Sequence, residues 1–175
     1  MEDGFQPTSQ VFIADLTQAT FTTGTPGTWT APSQLQILTE SALSFGASAS
    51  AVAQGTHIGI LTGEFGDTNV TAIQLPATSG TGTPAITDWV TCGIGSSTPG
   101  GPPFADGADP HTVTAYQSPN SGDAIALLAN LGATQLAAID LTKMLNPAVV
   151  PRTAGGHGCS AGTLPATVVN FISVP

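Results

Sequence analysis

A stretch of thirty residues occurs twice in this chain, 66 positions apart, and this duplication constrains the fold more than any single motif does. The first copy is Gly46–Leu75 and the second is Thr112–Leu141. Aligned without a gap, the copies share seven identical residues, among them Leu61 with Leu127. A third fragment, Val11–Leu16, is similar to the end of the same unit. Repetition at a near-constant period indicates one supersecondary unit that is stacked several times.

The residue pattern within the repeats predicts strands. Short runs rich in β-branched or alternating apolar residues are bounded by Gly, Pro, Ser and Asn, as strands are. These runs are Val11–Leu16, Gln34–Leu38, Ser48–Val52, Ile58–Gly63, Val70–Leu75, Ala85–Val90, Thr112–Tyr116, Ala124–Ala129, Gln135–Leu141 and Val168–Val174. Since 21 glycines and 14 prolines interrupt the chain, one short helical turn around Leu141–Leu145 is the only helix predicted. We therefore expect an all-β fold in which each full repeat is an antiparallel four-stranded meander, with strands a to d.

Two sequence blocks resemble the blades of bacterial lactonase-like, YVTN/NHL-type β-propellers. The blocks read GTHIGILTGEFGDTNVTAIQLP and DPHTVTAYQSPNSGDAIALLANLGATQLAAIDL. In the second block, Ser118–Gly122 matches the Ser-Pro turn between strands a and b of such blades, and Ile139–Leu141 matches their strand-c ending. The resemblance implies radially stacked sheets in one region, residues 1–175. Residues 1–45 would form a partial blade, 46–108 one blade and 109–175 another.

About two and a half blades do not close a propeller ring, so the resemblance implies that the chain belongs to a larger exported bacterial protein. The expected partners are the remaining blades of a longer chain, or further copies of this one. In the blade alignment, Ile58–Gly63 and Ala124–Ala129 are equivalent central strands of adjacent sheets. Leu127 is expected to be buried there, so that a charge at this position would be strongly destabilising.

The charge balance limits the partners of this protein. Two basic residues, Lys143 and Arg152, face eleven acidic ones, for a net charge of −9. Few cations are present to neutralise phosphates, so we expect neither nucleic acid nor an anionic membrane to bind. No apolar run reaches the roughly eighteen residues of a membrane helix. The acidic start, Met1–Gly4, predicts no secretory signal within this chain, although the Lys-poor, Thr-rich composition favours an extracellular or periplasmic location.

The two cysteines, Cys92 and Cys159, lack the spacing of a structural zinc site. Two interpretations stay open for them: a pair of buried thiols, or a single disulfide. His157 and Cys159 have the spacing of a soft-metal pair, but no third ligand accompanies them, so loop structure is the preferred interpretation.

The polar candidates concentrate at one edge of the predicted meanders. In an antiparallel meander, the b-to-c and d-to-a connections lie at the same edge of the sheet. That edge would collect Glu64, Asp67, Asp109 and His111. Carboxylate oxygens, together with Asn69 or Asp106, would suit Ca²⁺, and His111 would suit a general base or metal ligand. The alternative is that the acids cap ordinary turns and that His111 bonds to a neighbouring loop.

Three functions follow from these observations. The sequence favours a non-catalytic binding or structural module, because no serine has a nucleophile-elbow sequence and no glycine pattern fits a dinucleotide site. The first alternative is part of a lactonase-like hydrolase that uses a metal ion. The second is a β-sandwich or β-solenoid that serves as an adhesin or coat protein.

The loop-edge hypothesis predicts stabilisation by calcium. At a free Ca²⁺ concentration one hundred times the dissociation constant, binding stabilises the fold by about 2.7 kcal/mol. Asp109→Asn should weaken this effect, whereas Glu2→Gln, near the start of the chain, should not. The measurement is thermal unfolding in millimolar Ca²⁺ against chelator, and equal midpoints would contradict the hypothesis.

Overall fold

The structure, a computed structural model, describes residues 10–14, 20–22, 28–30, 35–39, 47–63, 68–75, 86, 88–95, 109–131 and 135–173. Side chains are described from residue 49 onward, except those of residues 109–111, 130 and 131. All statements below refer to these parts of the chain.

The described chain is almost entirely β-structure. Its strands are β1 (Gln10–Ala14), β2 (Thr20–Thr22), β3 (Thr28–Thr30), β4 (Leu35–Thr39), β5 (Ala47–Ala53), β6 (Ile58–Gly63), β7 (Asn69–Gln74), β8 (Asp88–Gly93), β9 (Asp109–Gln117), β10 (Ala124–Leu131), β11 (Gln135–Asp140), β12 (Gly158–Thr163) and β13 (Val169–Ser173). One helix, α1 (Leu141–Leu145), follows β11. The all-β prediction is confirmed.

Two larger sheets contain the two predicted meanders. Sheet 1 has the strand order β12-β8-β7-β6-β5, and sheet 2 has the order β13-β11-β10-β9. Strands β5 to β8 and strands β9, β10, β11 and β13 are paired antiparallel in chain order, as expected for strands a to d. Separately, β1 pairs with β4 and β2 pairs with β3.

Strand β12 lies in a segment for which the sequence does not predict a strand. The segment GGHGCSAG is so rich in glycine that it predicts a surface loop. Residues Gly158–Thr163 instead lie beside β8 and run parallel to it. Four of the six residues are exposed and the strand has little apolar content, so only tertiary contacts place it there.

The two sheets share one hydrophobic core that is narrow on one side. β5 and β9 lie next to each other, with Cα atoms within 8 Å, closer than the roughly 10 Å between ordinary stacked sheets. Small side chains make this approach feasible: Ala51 and Ala53 on β5, and Ala115 on β9. The two strands run in the same direction, because the turn after β5 meets the end of β9. A Cβ at Gly55, whose φ is +86°, would lie 2.8 Å from Gln117 Oε1.

Larger residues fill the core further from β5 and β9. Helix α1 contacts β7 and β8 of sheet 1 and β10 and β11 of sheet 2. It buries Leu141, Met144 and Leu145 between the sheets. Asp140 caps the helix, since its side chain accepts a hydrogen bond from the backbone N–H of Lys143 at 2.9 Å. No helix in the described residues has the length and apolar character needed to cross a membrane.

The strand registers show that the repeat is not gapless. Ile60 on β6 pairs with Ala72 on β7, whereas Ala126 on β10 pairs with Ile139 on β11. The offset between the copies therefore differs by one residue between the two strand pairs: if it is 66 from β6 to β10, it is 67 from β7 to β11. Because a one-residue slip turns a side chain to the other face of a sheet, matched residues need not share an environment. Ile139 lies in the shared core, whereas Ile73 lies in a separate cluster on the opposite face of sheet 1.

The predicted burial of Leu127 in the core is wrong. On β10, burial alternates: Ala124, Ala126 and Leu128 have no exposed area, while Leu127 is only half-buried. Leu127 points away from the shared core, as Leu61 does on β6. The sequence does not distinguish Leu127 from Leu128, because β10 is apolar on both faces.

A pair of truncations tests this orientation. Leu128→Ala should lower the free energy of unfolding by about 3 kcal/mol, since it leaves a cavity in the core. Leu127→Ala removes the same atoms from the half-buried face and should cost about 1 kcal/mol. Urea unfolding of both variants gives the comparison, and equal losses would contradict the assigned faces.

Candidate functional site

The predicted loop edge is only partly within the described residues. Glu64 and Asp67 lie outside them, as does Asp106. Asp109 and His111 lie on β9, where the backbone but not the side chain is described. Asn69 is the first residue of β7. The calcium site at these residues therefore stays a prediction.

The backbone places the starts and ends of these strands at one end of the molecule. Gly63 pairs with Ala47 and Asn69 pairs with Gly93, so β6 ends where β7 and β5 begin. Asp109, at the start of β9, lies at the same end because β9 runs alongside β5. The described residues contain no group of three or more His, Cys, Asp and Glu side chains placed to hold a metal ion.

β5 and β9, the first strands of the two meanders, each contain a β-bulge at this end. On β9, the three steps from Asp109 to Thr112 oppose the two steps from Leu131 to Ala129. On β5, the two steps from Ala47 to Ala49 oppose a single step on β6. The β9 bulge accommodates Pro110, which cannot donate a ladder hydrogen bond. The two meanders thus share an irregularity that the sequence alignment does not reveal.

The most developed polar arrangement lies elsewhere and consists of Asp88, Trp89, Arg152 and His157, here called the Arg152 cluster. Arg152 forms a two-pronged ion pair with Asp88, with Nη1–Oδ1 at 2.9 Å and Nη2–Oδ2 at 2.8 Å. Its Nη1 also donates to the carbonyl of Trp89, and its Nη2 donates to the carbonyl of Leu145 at 2.9 Å. One guanidinium thus joins the start of β8 to the end of α1.

Geometry distinguishes this ion pair from an ordinary surface pair. The Arg152 side chain is 15% exposed and the Asp88 side chain is 40% exposed. The planar fork of arginine suits two carboxylate oxygens, which a lysine could not contact in the same way. The two Nη atoms donate four hydrogen bonds, which engage the guanidinium in structure. The Nε of Arg152 and the Nε1 of Trp89 are buried and have no hydrogen-bond partner among the described residues.

His157 is held against Trp89. The two rings stack with their centroids 3.4 Å apart and their planes 15° apart. The Nδ1 of His157 lies 3.0 Å from the carbonyl of Trp89, and the His157 carbonyl accepts a hydrogen bond from the N–H of Thr91 at 2.9 Å. These contacts orient the imidazole against the protein and connect the segment before β12 to β8.

A disulfide joins Cys92 on β8 to Cys159 on β12. The Cα atoms are 5.4 Å apart, and both residues are buried in the shared core. A soft-metal pair of His157 and Cys159 would need a free thiolate, so it is incompatible with this bond.

Sequence reasoning identifies neither the partner of Arg152 nor the role of Asp88. The one available signal is scarcity: a single arginine among eleven acids is expected to form an ion pair. The sequence does not say which acid it selects, because the two residues are 64 positions apart. Their contact depends on the folding of β8 against the segment after α1.

The other basic residue forms a surface pair. Lys143 Nζ lies 2.8 Å from Asp140 Oδ2, and the lysine side chain is 50% exposed. The hydrogen bond to Asp140, followed by its negative charge, raises the pKa of Lys143. The stabilisation from this pair is complete below the ordinary lysine pKa and is lost as the pH rises through the raised pKa. It is therefore constant near neutral pH.

A shallow cleft of about 210 Å³ lies on sheet 2, on the side away from the shared core. Ile125, Ala138 and Val168 form part of its apolar wall, and Asp140 and Asn170 supply polar atoms. Since Asp140 already caps α1 and pairs with Lys143, the cleft contains no uncommitted charged side chain among these residues.

The chain's two basic residues form a matched pair for mutation. Arg152→Met should lower the free energy of unfolding by about 2 kcal/mol, because it leaves Asp88 and the Leu145 carbonyl without their cation. Lys143→Met should change stability little, since exposed pairs contribute little. Chemical unfolding at neutral pH measures both, and a larger loss for Lys143→Met would contradict the role assigned to Arg152.

No protein-family model, curated protein or solved structure matches this chain. The observations from which a function is inferred are therefore its two packed meanders, the Arg152 cluster and the Cys92–Cys159 disulfide.

Proposed function

We propose that this chain is a non-catalytic, propeller-type module whose role is to bind another β-sheet face to face. The partner is a further meander sheet, either from a longer chain or from a second copy. The observation that carries this proposal is the relative orientation of sheets 1 and 2, which leaves a second packing face on sheet 2.

The orientation follows from the neighbouring first strands. β5 and β9 lie side by side and run in the same direction, and in both sheets the later strands follow in the same order away from them. Two such sheets are related by a shift with a small rotation, because a two-fold axis between their faces would place these strands either antiparallel or at opposite edges. The relation is head-to-tail, and head-to-tail stacking does not end after two members.

In a head-to-tail stack, equivalent faces of the two sheets point in the same direction. The face that sheet 2 buries then corresponds to the face that sheet 1 turns away from the shared core. At β7 and β11 the gapless alignment follows this relation, since Ile73 on the outer face of sheet 1 aligns with Ile139 on the inner face of sheet 2. At β6 and β10 it does not, since it aligns Ile60 with Ala126, which both face the shared core. The outer face of sheet 2 corresponds in turn to the inner, core-forming face of sheet 1.

The outer face of sheet 2 has the composition of a packing surface. Its outward positions include these apolar residues: Tyr116, Ile125, Leu127, Ala129, Leu136, Ala138 and Ile172. Tyr116 and Ile172 are each 43% exposed. These residues form an apolar surface, and Asp140 on the same face is paired with Lys143. In a chain with a net charge of −9, another acidic protein can therefore approach this face with little repulsion.

Sedimentation velocity across a concentration series tests this function. The isolated chain should sediment as larger species as its concentration rises. Ile172→Asp places a charge in the exposed face and should weaken association by about tenfold or more. Ser160→Asp adds the same charge at an exposed position of β12 and should associate like the unmodified chain.

The same experiment has an outcome that would contradict the proposed function. A monomer that is compact and unfolds cooperatively at every concentration would contradict the stacking module. It would favour a self-contained β-sandwich whose outer faces are exposed to solvent in the native protein.

A further inference from the structure

The direct pairing of β12 with β8 is sparse. β12 is also bonded to the segment after α1, through the Thr153 N–H to the Gly158 carbonyl and the Ser160 N–H to the Pro151 carbonyl, each at 2.8 Å. Only Gly158 with Thr91 and Thr163 with Gly93 are in register, and the register shifts between these positions. The Thr91 N–H donates to the His157 carbonyl at 2.9 Å, and the Leu164 N–H donates to the Gly93 carbonyl at 2.8 Å. Both hydrogen bonds lie at the ends of the strand. Parallel pairing at a sheet edge is the less stable kind, and Ser160–Thr163 is exposed.

Cys159 is the exception within β12. It is the one buried residue of the strand, and its sulfur is bonded to Cys92. Cys92 lies on β8, which pairs with β7 at six consecutive positions and is therefore firmly held. The disulfide thus attaches a weakly paired edge strand to a well-paired one.

We propose that the Cys92–Cys159 disulfide is a redox clasp that determines whether β12 is docked on sheet 1. In the oxidised protein, the bond keeps β12 within reach of β8, and the hydrogen bonds at its ends persist. In the reduced protein, the two bonds to sheet 1 together with those to Pro151 and Thr153 do not hold the strand, and β12 exchanges between docked and free states.

The reaction is an ordinary thiol–disulfide exchange with an external dithiol. A thiolate of the dithiol attacks the Cys159 sulfur, and the Cys92 thiolate leaves. The second dithiol sulfur then releases Cys159, so that two protein thiols and one oxidised dithiol are formed. Access requires local opening of an edge strand, which belongs to the least stable parts of a β-sheet.

Undocking of β12 would expose the backbone of β8. The N–H of Thr91 and the carbonyl of Gly93 would lose their partners, which leaves a free edge of the kind that another strand can pair with. β13 is held separately by five register positions on β11, so sheet 2 would keep its structure. The clasp thus changes one edge of sheet 1 and leaves the rest of the fold intact.

Hydrogen exchange with mass spectrometry on the full 175-residue chain tests the clasp. Intact mass first verifies the state of the thiols before and after treatment with dithiothreitol. After reduction, exchange should become at least tenfold faster in peptides that contain Thr91 and Leu164. Exchange in β10 and β11 should stay unchanged. The double variant Cys92→Ala with Cys159→Ala should show the fast exchange with and without dithiothreitol.

Three outcomes would overturn the proposal. The first is unchanged exchange at Thr91 and Leu164 in a protein whose mass shows full reduction. The second is faster exchange in all strands together, which would mean that the disulfide stabilises the whole fold and not the docking of β12 in particular. The third is two free thiols in the untreated protein while β12 is protected.

Discussion

The shared core between the two sheets is the constraint on which the rest of this structure depends. Each four-stranded meander has an apolar face that it cannot bury alone, and the two faces meet around β5 and β9. The alanines on these strands allow a close approach on one side. The space that remains on the other side needs a helix, and α1 supplies Leu141, Met144 and Leu145.

Because the chain has only two basic residues, few ion pairs are available to hold the edges of its sheets in place. Arg152 is the single arginine, and it connects Asp88, Trp89 and the end of α1 at once. The disulfide between Cys92 and Cys159 connects β8 to the neighbouring strand β12. These two features lie on β8 and on the segment after α1, so they secure the wide side of the core, opposite the close contact of β5 with β9.

The head-to-tail relation of the sheets connects the fold to the proposed function. A pair of sheets related by a two-fold axis would use one face of each sheet and leave polar outer faces. Here, the outer face of sheet 2 carries Tyr116, Leu127 and Ile172, which belong to strands that also contribute to the core through their other face. Strands that are apolar on both sides are typical of sheets packed between two neighbours.

The sequence by itself determined the strands of the two meanders, their four-strand period and their antiparallel pairing, because alternation, turn residues and glycine content act locally. It did not determine which face of β10 is buried, since Leu127 and Leu128 are adjacent and equally apolar. It also did not show the one-residue change of offset between Ala72 and Ile139, which only strand pairing reveals. Tertiary structure alone decided the partner of Arg152 and the position of β12. Both depend on contacts between segments more than sixty residues apart, whose identity no local pattern records.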